Sequence, residues 1–318
     1  MRQLTVLAAT LVAALSLTTG AAIEGSGVGF ASSSAACGLI EPEGADLFDG
    51  LRSLLVAGAE ARGTGALVGR EPTLNEKVES LPASAKGKAG KGFRATVPVW
   101  FHVITDGGVG NLTQRQIDAQ IRVLNLGFSG FYGGAKSGFQ FELAGVTRTE
   151  NPTWYNARVG GDAERDIERT LRRGGFETLN VYSSLAGGHL GYAYLPGLPD
   201  SQLYRDGIVI NWESVPGAST TFAGRYDLGL TLVHEAGHWV NLQHTFEGGC
   251  NAKGDFVDDT PAMLVPTDGC PEGKDTCREP GLDPIHNYMD YSYDSCYTEF
   301  TPGQVARAQD SWLYFRAP

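Results

Sequence analysis

Three of the chain's six histidines crowd into one short stretch, at His234, His238 and His244. His234 and His238 stand four apart, so a helix through them projects both imidazoles from one face toward a common point. Zinc takes imidazole nitrogens at about 2.0–2.1 Å, and that pair meets the requirement without strain. Glu235 lies close to such a cation without being needed as a ligand. Its carboxylate is the group to take a proton from water activated there and pass it to a departing amine. His244 cannot reach the same cation if the helix runs on, because the extra residues rotate it to another face. The pattern therefore demands a sharp break after His238. Asn241 is the residue to make it, since asparagine is among the few non-glycine residues that tolerate the left-handed conformation. Gly237, beside His238, lets another part of the backbone approach closely. Three imidazoles plus one exchangeable position is the coordination of a catalytic zinc site, whereas a structural site closes with four protein ligands. A bare His-Glu-x-x-His match also arises by chance in unrelated helices. The third histidine separates the two readings.

These side chains need a scaffold, and regular structure begins near Ala95. Val97 to Ile104 is a β-rich run whose early proline, Pro98, marks a strand start. Thr113 and Gln116 form a capping box for a helix carrying Ile117, Ile121, Leu124 and Phe128 at helical spacing. Phe139 to Val146 alternates as a strand. Asp162 caps a second helix that packs through Ile167 and Leu171 and stops by Gly174-Gly175. Thr178 to Tyr182, Gly191 to Leu195 and Gly207 to Trp212 read as short strands, and Gly191 to Leu195 is either an edge that pairs with an extended peptide or an ordinary strand. Thr301, Pro302 and Gln304 open a last helix with a stripe of Val305, Ala308, Trp312 and Phe315. The expected architecture is α+β in one domain, 95–318.

Upstream, Met1-Arg2, the apolar run Leu4 to Leu17 and the small residues that follow have the layout of a secretory signal peptide, 1–22. No later segment is apolar over the ~20 residues of a membrane span, so export should end in release. Residues 23–94 read as a pro-segment and linker, with the basic, glycine-rich Lys86 to Gly92 flexible and open to cleavage. Five cysteines suit an oxidising compartment. Cys250, Cys270, Cys277 and Cys296 cluster near the C-terminus, and their spacing leaves three pairings open. Cys37 stands alone; it is either a thiolate that closes the zinc's open position in a latent form or an incidental residue lost with the leader. A formal charge of -11 argues against nucleic acid or an anionic membrane as partner.

His234 to His244, with His244-Thr245-Phe246, Gly254 to Pro261, Asn287 to Tyr291 and Glu299 to Gln304, resembles the metzincin clan of zinc peptidases, and within it the pappalysin family. The resemblance is dense from Ile208 to Gln309 and fades upstream of Thr96. It implies a metzincin-type domain: a twisted, mostly parallel sheet, an active-site helix with a second backing helix, and a C-terminal subdomain with a Met-turn and a final helix. It further implies that Met289 forms an apolar floor beneath the zinc and that Tyr291 stabilises the oxyanion of the tetrahedral intermediate. The clan usually has glycine where this chain has Asn241. The acidic loop offers Asp255, Val257, Asp259 and Thr260 as calcium ligands, as in similar enzymes, or is a solvated turn. The pairing implied is Cys250 with Cys277 and Cys270 with Cys296. Asp294, after the Met-turn, falls where the relatives have the wall of a primed-side pocket, and a buried carboxylate there favours Arg or Lys after the scissile bond. The expectation is a secreted, monomeric zinc endopeptidase acting on proteins or peptides. Two rivals are a secreted binding protein that keeps the metal without turnover and a zinc amidohydrolase on small substrates.

Overall fold

Strand β1 (Ala95–Thr105) is long and almost wholly buried. Its alternate residues serve two faces, as the two-residue repeat of a strand requires. Val97, Val99, Phe101 and Val103 enter the main core, while Ile104 joins a second, smaller core beyond the sheet. β2 (Phe139–Glu150) and β3 (Leu179–Ser184) flank β1 in parallel; β5 (Ile208–Asn211) extends the parallel set beyond β3. The short β4 (Gly191–Ala193) closes the sheet as an antiparallel edge, giving the order β2-β1-β3-β5-β4. Five strands, four of them parallel, make the mixed α+β sheet. The computed structural model describes residues 81–251 and 254–318. The segment read as a signal peptide and most of the expected pro-segment, with Cys37, lie outside the described residues.

Helix α1 (Gln114–Ser129) starts with the capping box of Thr113 and Gln116 and buries Ile117, Ile121, Leu124 and Phe128. It backs the helix of the histidines, α4 (Leu230–Trp239), and the two approach closely because Gly127 has no side chain. A Cβ there would lie 2.7 Å from Val233 Cγ1. On the opposite face, the single turn α2 (Pro152–Tyr155) and α3 (Asp162–Leu171) cover the second core through Tyr155, Ile167 and Leu171. Asp162 is the first helical residue there and not the cap; Gly161 occupies the cap position without a side-chain bond. The last helix, α5 (Pro302–Phe315), carries its predicted capping box and packs Val305, Ala308 and Trp312 into the main core.

Between α4 and α5 the described chain contains no helix or strand beyond a three-residue 3-10 turn at Asp294–Cys296. Disulfides join Cys250 to Cys277 and Cys270 to Cys296 across this irregular region. Its turns are further tied by carboxylates, as where Asp283 accepts from Thr276 N and Oγ1 at 3.0 Å.

The end of the stretch read as a linker is tied to the domain, although Lys86, Gly87, Lys88 and Gly90 to Gly92 stay exposed. The Asp310 carboxylate on α5 accepts the backbone N–H groups of Gly87, Lys88 and Ala89 at 2.5, 2.8 and 2.8 Å. Leu81 and Ala85 are buried, and Phe93 sets its ring edge-on to Phe139 at 5.1 Å. Glycines and lysines look mobile by composition, but three successive N–H groups form a concave donor set that one carboxylate can fill.

Candidate metal centre

Every residue of α4 is buried, so its histidines sit on an interior helix and not on a surface one. The helix lacks a side-chain cap of its own. Asp294, distant in sequence, supplies one: its Oδ2 accepts from Leu228 N at 2.8 Å and Leu230 N at 3.5 Å. The helix ends at Trp239, and Asn241 adopts φ 77 as the spacing of the histidines demanded. Asn241 N–H bonds to His238 O at 2.8 Å and Leu242 N–H to Gly237 O at 2.9 Å. This pair of reversed bonds is the Schellman arrangement, which turns the chain off the helix axis.

That turn also orients the first two rings. His238 Nδ1 donates to Leu242 O at 2.8 Å, and His234 Nδ1 donates to Tyr288 O at 2.6 Å. A carbonyl can only accept, so both rings carry their proton on Nδ1 and present an unprotonated Nε2. His238 Nε2 lies 3.1 Å from His234 Nε2 and 3.1 Å from His244 Nε2. The unprotonated Nε2 atoms of His234 and His238 repel at that distance, and a cation between them removes the repulsion. Tetrahedral bonds of ~2.0–2.1 Å separate ligand nitrogens by little more than this, so the three residues fit a shared metal ion. His244 is stacked on Phe246 with centroids 4.6 Å apart, and the ring of Tyr291 lies 4.9 Å from His244 and 5.7 Å from His234.

Gly191 on the edge strand β4 lies against Glu235; a Cβ there would meet Glu235 Oε1 at 2.7 Å. Strand and carboxylate thus adjoin directly. Met289 is fully buried beneath α4, and its sulfur occupies the space that any side chain at Gly237 would need. Gly237 therefore admits a side chain, Met289, and not the neighbouring backbone that its type suggested. The Met-turn is clamped by reciprocal bonds between Asn287 and Gln304 of α5, 2.8 and 3.0 Å long.

The four proposed oxygen ligands of the acidic loop are not brought together. Thr260 Oγ1 lies 2.9 and 2.8 Å from the two Asp255 oxygens and 3.0 Å from Val257 O. Asp259 turns away and caps α5, accepting from Thr301 Oγ1 at 2.6 Å and Gly303 N at 2.8 Å. Burial pushes the Asp255 carboxyl up to about 6. Asp294 is buried, which pushes its carboxyl up to about 7. His102, by contrast, is a core histidine. Its two nitrogens bond Thr147 Oγ1 and Asn180 Oδ1 at 2.8 and 3.0 Å, and burial lowers it to about 4.

Residue-type reasoning missed the polar supports. Arg316 pairs with both oxygens of Asp206, at 3.0 and 2.8 Å, while its Nε donates to Trp239 O at 2.8 Å. Arg307 Nε donates to Asn241 O at 2.7 Å, and Asn241 Nδ2 to Ser311 Oγ at 2.9 Å. Only the helical spacing of Arg307 and Ser311, on one face of α5, hinted at a shared partner.

A mostly parallel sheet and a buried histidine helix that turns off at Asn241 define a metallopeptidase. The family described as Pregnancy-associated plasma protein-A, peptidase family M43, matches residues 178–312. An extracellular metalloprotease of Pyricularia oryzae is 43% identical over 288 residues, covering 88% of this chain and 89% of that protein. One from Colletotrichum graminicola is 43% identical over 284 residues, covering 84% and 96%. Mature mirolysin of Tannerella forsythia, solved with a cleaved peptide, superposes with a TM-score of 0.58 at 29% identity, over 68% of this chain and 91% of that one. The chain belongs to the pappalysin family of metallopeptidases and is a secreted enzyme.

Proposed function

We propose that the chain is a zinc endopeptidase in which His234, His238 and His244 hold the metal through Nε2 and Glu235 is the general base. The observation that carries this reading is that His238 Nε2 lies 3.1 Å from both His234 Nε2 and His244 Nε2, while the Nδ1 protons of His234 and His238 are bonded to carbonyls. Bound zinc supplies Lewis acidity, polarising a carbonyl and lowering the pKa of water. Glu235 takes one proton from the attacking water as the new C–O bond forms. It delivers that proton to the amide nitrogen as the C–N bond breaks, so no covalent enzyme intermediate is needed. The phenol of Tyr291, whose ring packs on two of the histidines, donates to the carbonyl oxygen as it gains charge. The β4 edge pairs with the backbone of an extended substrate, and its contact with Glu235 sets the scissile bond beside the base.

Asp294 gives the primed side a preference for Arg or Lys. Its Oδ2 is committed to the start of α4, while Oδ1 has no hydrogen-bond partner and is the acceptor left for a cationic side chain. Calcium at the acidic loop takes Asp255, Val257 and Thr260 as its oxygen set, with Asp259 kept as a helix cap. A rise in thermal midpoint on adding calcium to chelator-treated enzyme checks that assignment.

The decisive experiment is Glu235→Gln. Zinc content stays at the wild-type level and peptide hydrolysis falls at least about a hundredfold; a zinc-loaded variant with normal turnover overturns the role of Glu235. Digestion of a peptide library with and without a zinc chelator tests the metal and the Asp294 preference together.

A further inference from the structure

We infer that Arg307 and Ser311, neither of which touches the metal, set the affinity of the site by holding the turn that delivers His244. This rests on the zinc reading above. Asn241 stands midway between His238 and His244 in a left-handed conformation, φ 77, that L side chains seldom adopt. Asparagine tolerates that conformation, and its neighbours hold it there. Its N–H is bonded to His238 O, its carbonyl receives Arg307 Nε, and its amide donates to Ser311 Oγ. All three side chains are buried. Arg307 and Ser311 lie four apart on α5 and so present one face to the turn.

The guanidinium of Arg307 is costly to bury. Its Nη2 has no hydrogen-bond partner; Asp255 attracts its charge, its guanidinium lies 5.4 Å from the Phe256 ring centroid, and its Nε donates to Asn241 O. One residue after Asn241, Leu242 O fixes the ring of His238. A slack turn therefore releases His244 and disorients His238 together. The helix making these bonds is itself anchored away from them, through Gln304 to Asn287 and through Arg316 to Asp206 and Trp239 O. Arg307 and Ser311 are positioning residues. Their removal should loosen the metal while α5 stays docked.

The test is zinc affinity of the metal-free enzyme, measured with zinc alone by competition against a chromophoric chelator, beside the thermal midpoint of the same metal-free samples. Arg307→Met and Ser311→Ala each weaken zinc binding about tenfold, the scale expected when a group supporting a ligand is lost. The metal-free midpoint of Ser311→Ala stays close to wild type. Adding Asn241→Gly to Ser311→Ala restores most of the affinity, because glycine takes the positive φ without a side-chain anchor. That rescue is not expected of a general packing defect. Affinities within roughly twofold of wild type in both single variants overturn the inference. If Arg307→Met does not fold, Ser311→Ala with and without Asn241→Gly decides it. His244→Ala serves as the control: unchanged zinc affinity in that variant overturns the zinc reading itself, a result distinct from failure of the clamp.

Discussion

The region from Ala95 to Trp239 and the region from Val240 to Thr301 meet at the histidines but are held by different physics. The first is a sheet with helices on both faces, and its main core is a continuous apolar packing of β1, α1 and α4. The second has almost no regular structure among its described residues. It is fixed by two disulfides, by carboxylates that cap turns and helices, and by buried polar bonds to α5. Two of the three imidazoles come from the first region and the third from the second. A site on such a seam takes rigid spacing from a helix and its open side from a loop, and it inherits the loop's sensitivity.

The strongest way to break the contrast is at the joint. Asp206 is the common partner of Arg316, Arg172 and the Trp239 indole. Asp206→Ala leaves two buried guanidinium groups without their carboxylate and should cost about 3–5 kcal/mol in denaturant unfolding. A loss below 1 kcal/mol would mean that the pairing is dispensable.

Reducing both disulfides removes about 2–4 kcal/mol each from the irregular region. Zinc and activity should then be lost while far-UV circular dichroism of the sheet persists. Simultaneous loss of the sheet signal would show that the two regions unfold as one.

Gly237→Ala sharpens the contrast further. Inside an isolated helix the change gains about 1 kcal/mol. Here the added methyl collides with Met289, so a net loss of about 1–3 kcal/mol in thermal or chemical unfolding is expected. A stabilised variant would show that the Met-turn yields easily.

The last prediction lies in the second core and depends on pH. Glu168 is raised to about 9, first by burial and then by Glu164 beside it. Its folded pKa lies above the unfolded value, so its contribution is complete below the ordinary carboxylate range and declines as pH rises toward 9. Glu168→Gln should therefore gain stability relative to wild type as pH increases from 5 to about 9. Parallel unfolding curves for the two proteins across that range would contradict the assignment.

Much of the site was legible residue by residue. The capping boxes at Thr113 and Thr301, the helix through His234 and His238, and the left-handed break at Asn241 all follow from local rules, and the structure has them in place. The family resemblance implied the disulfide pairing that the structure contains. Other features were hidden because they depend on distant partners. The basic stretch before β1 looked like a linker, yet Asp310 lies 221–223 positions away and gathers its N–H groups. Asp294 suggested a pocket wall, and its second task, capping α4 across 64–66 positions, has no local signature.

Placing His234, Glu235 and His238 on one stretch of helix was within the power of the sequence alone, because helical periodicity is set by neighbours along the chain. The need for a break before His244 followed from the same periodicity. Where that break would aim the third ring, and which nitrogen each ring would present, was decided only by the tertiary structure. The Tyr288 carbonyl reaches His234 across 54 positions, and Arg307 reaches Asn241 across 66. Hydrogen bonds of that span form only after the main core has brought α4, the Met-turn and α5 together.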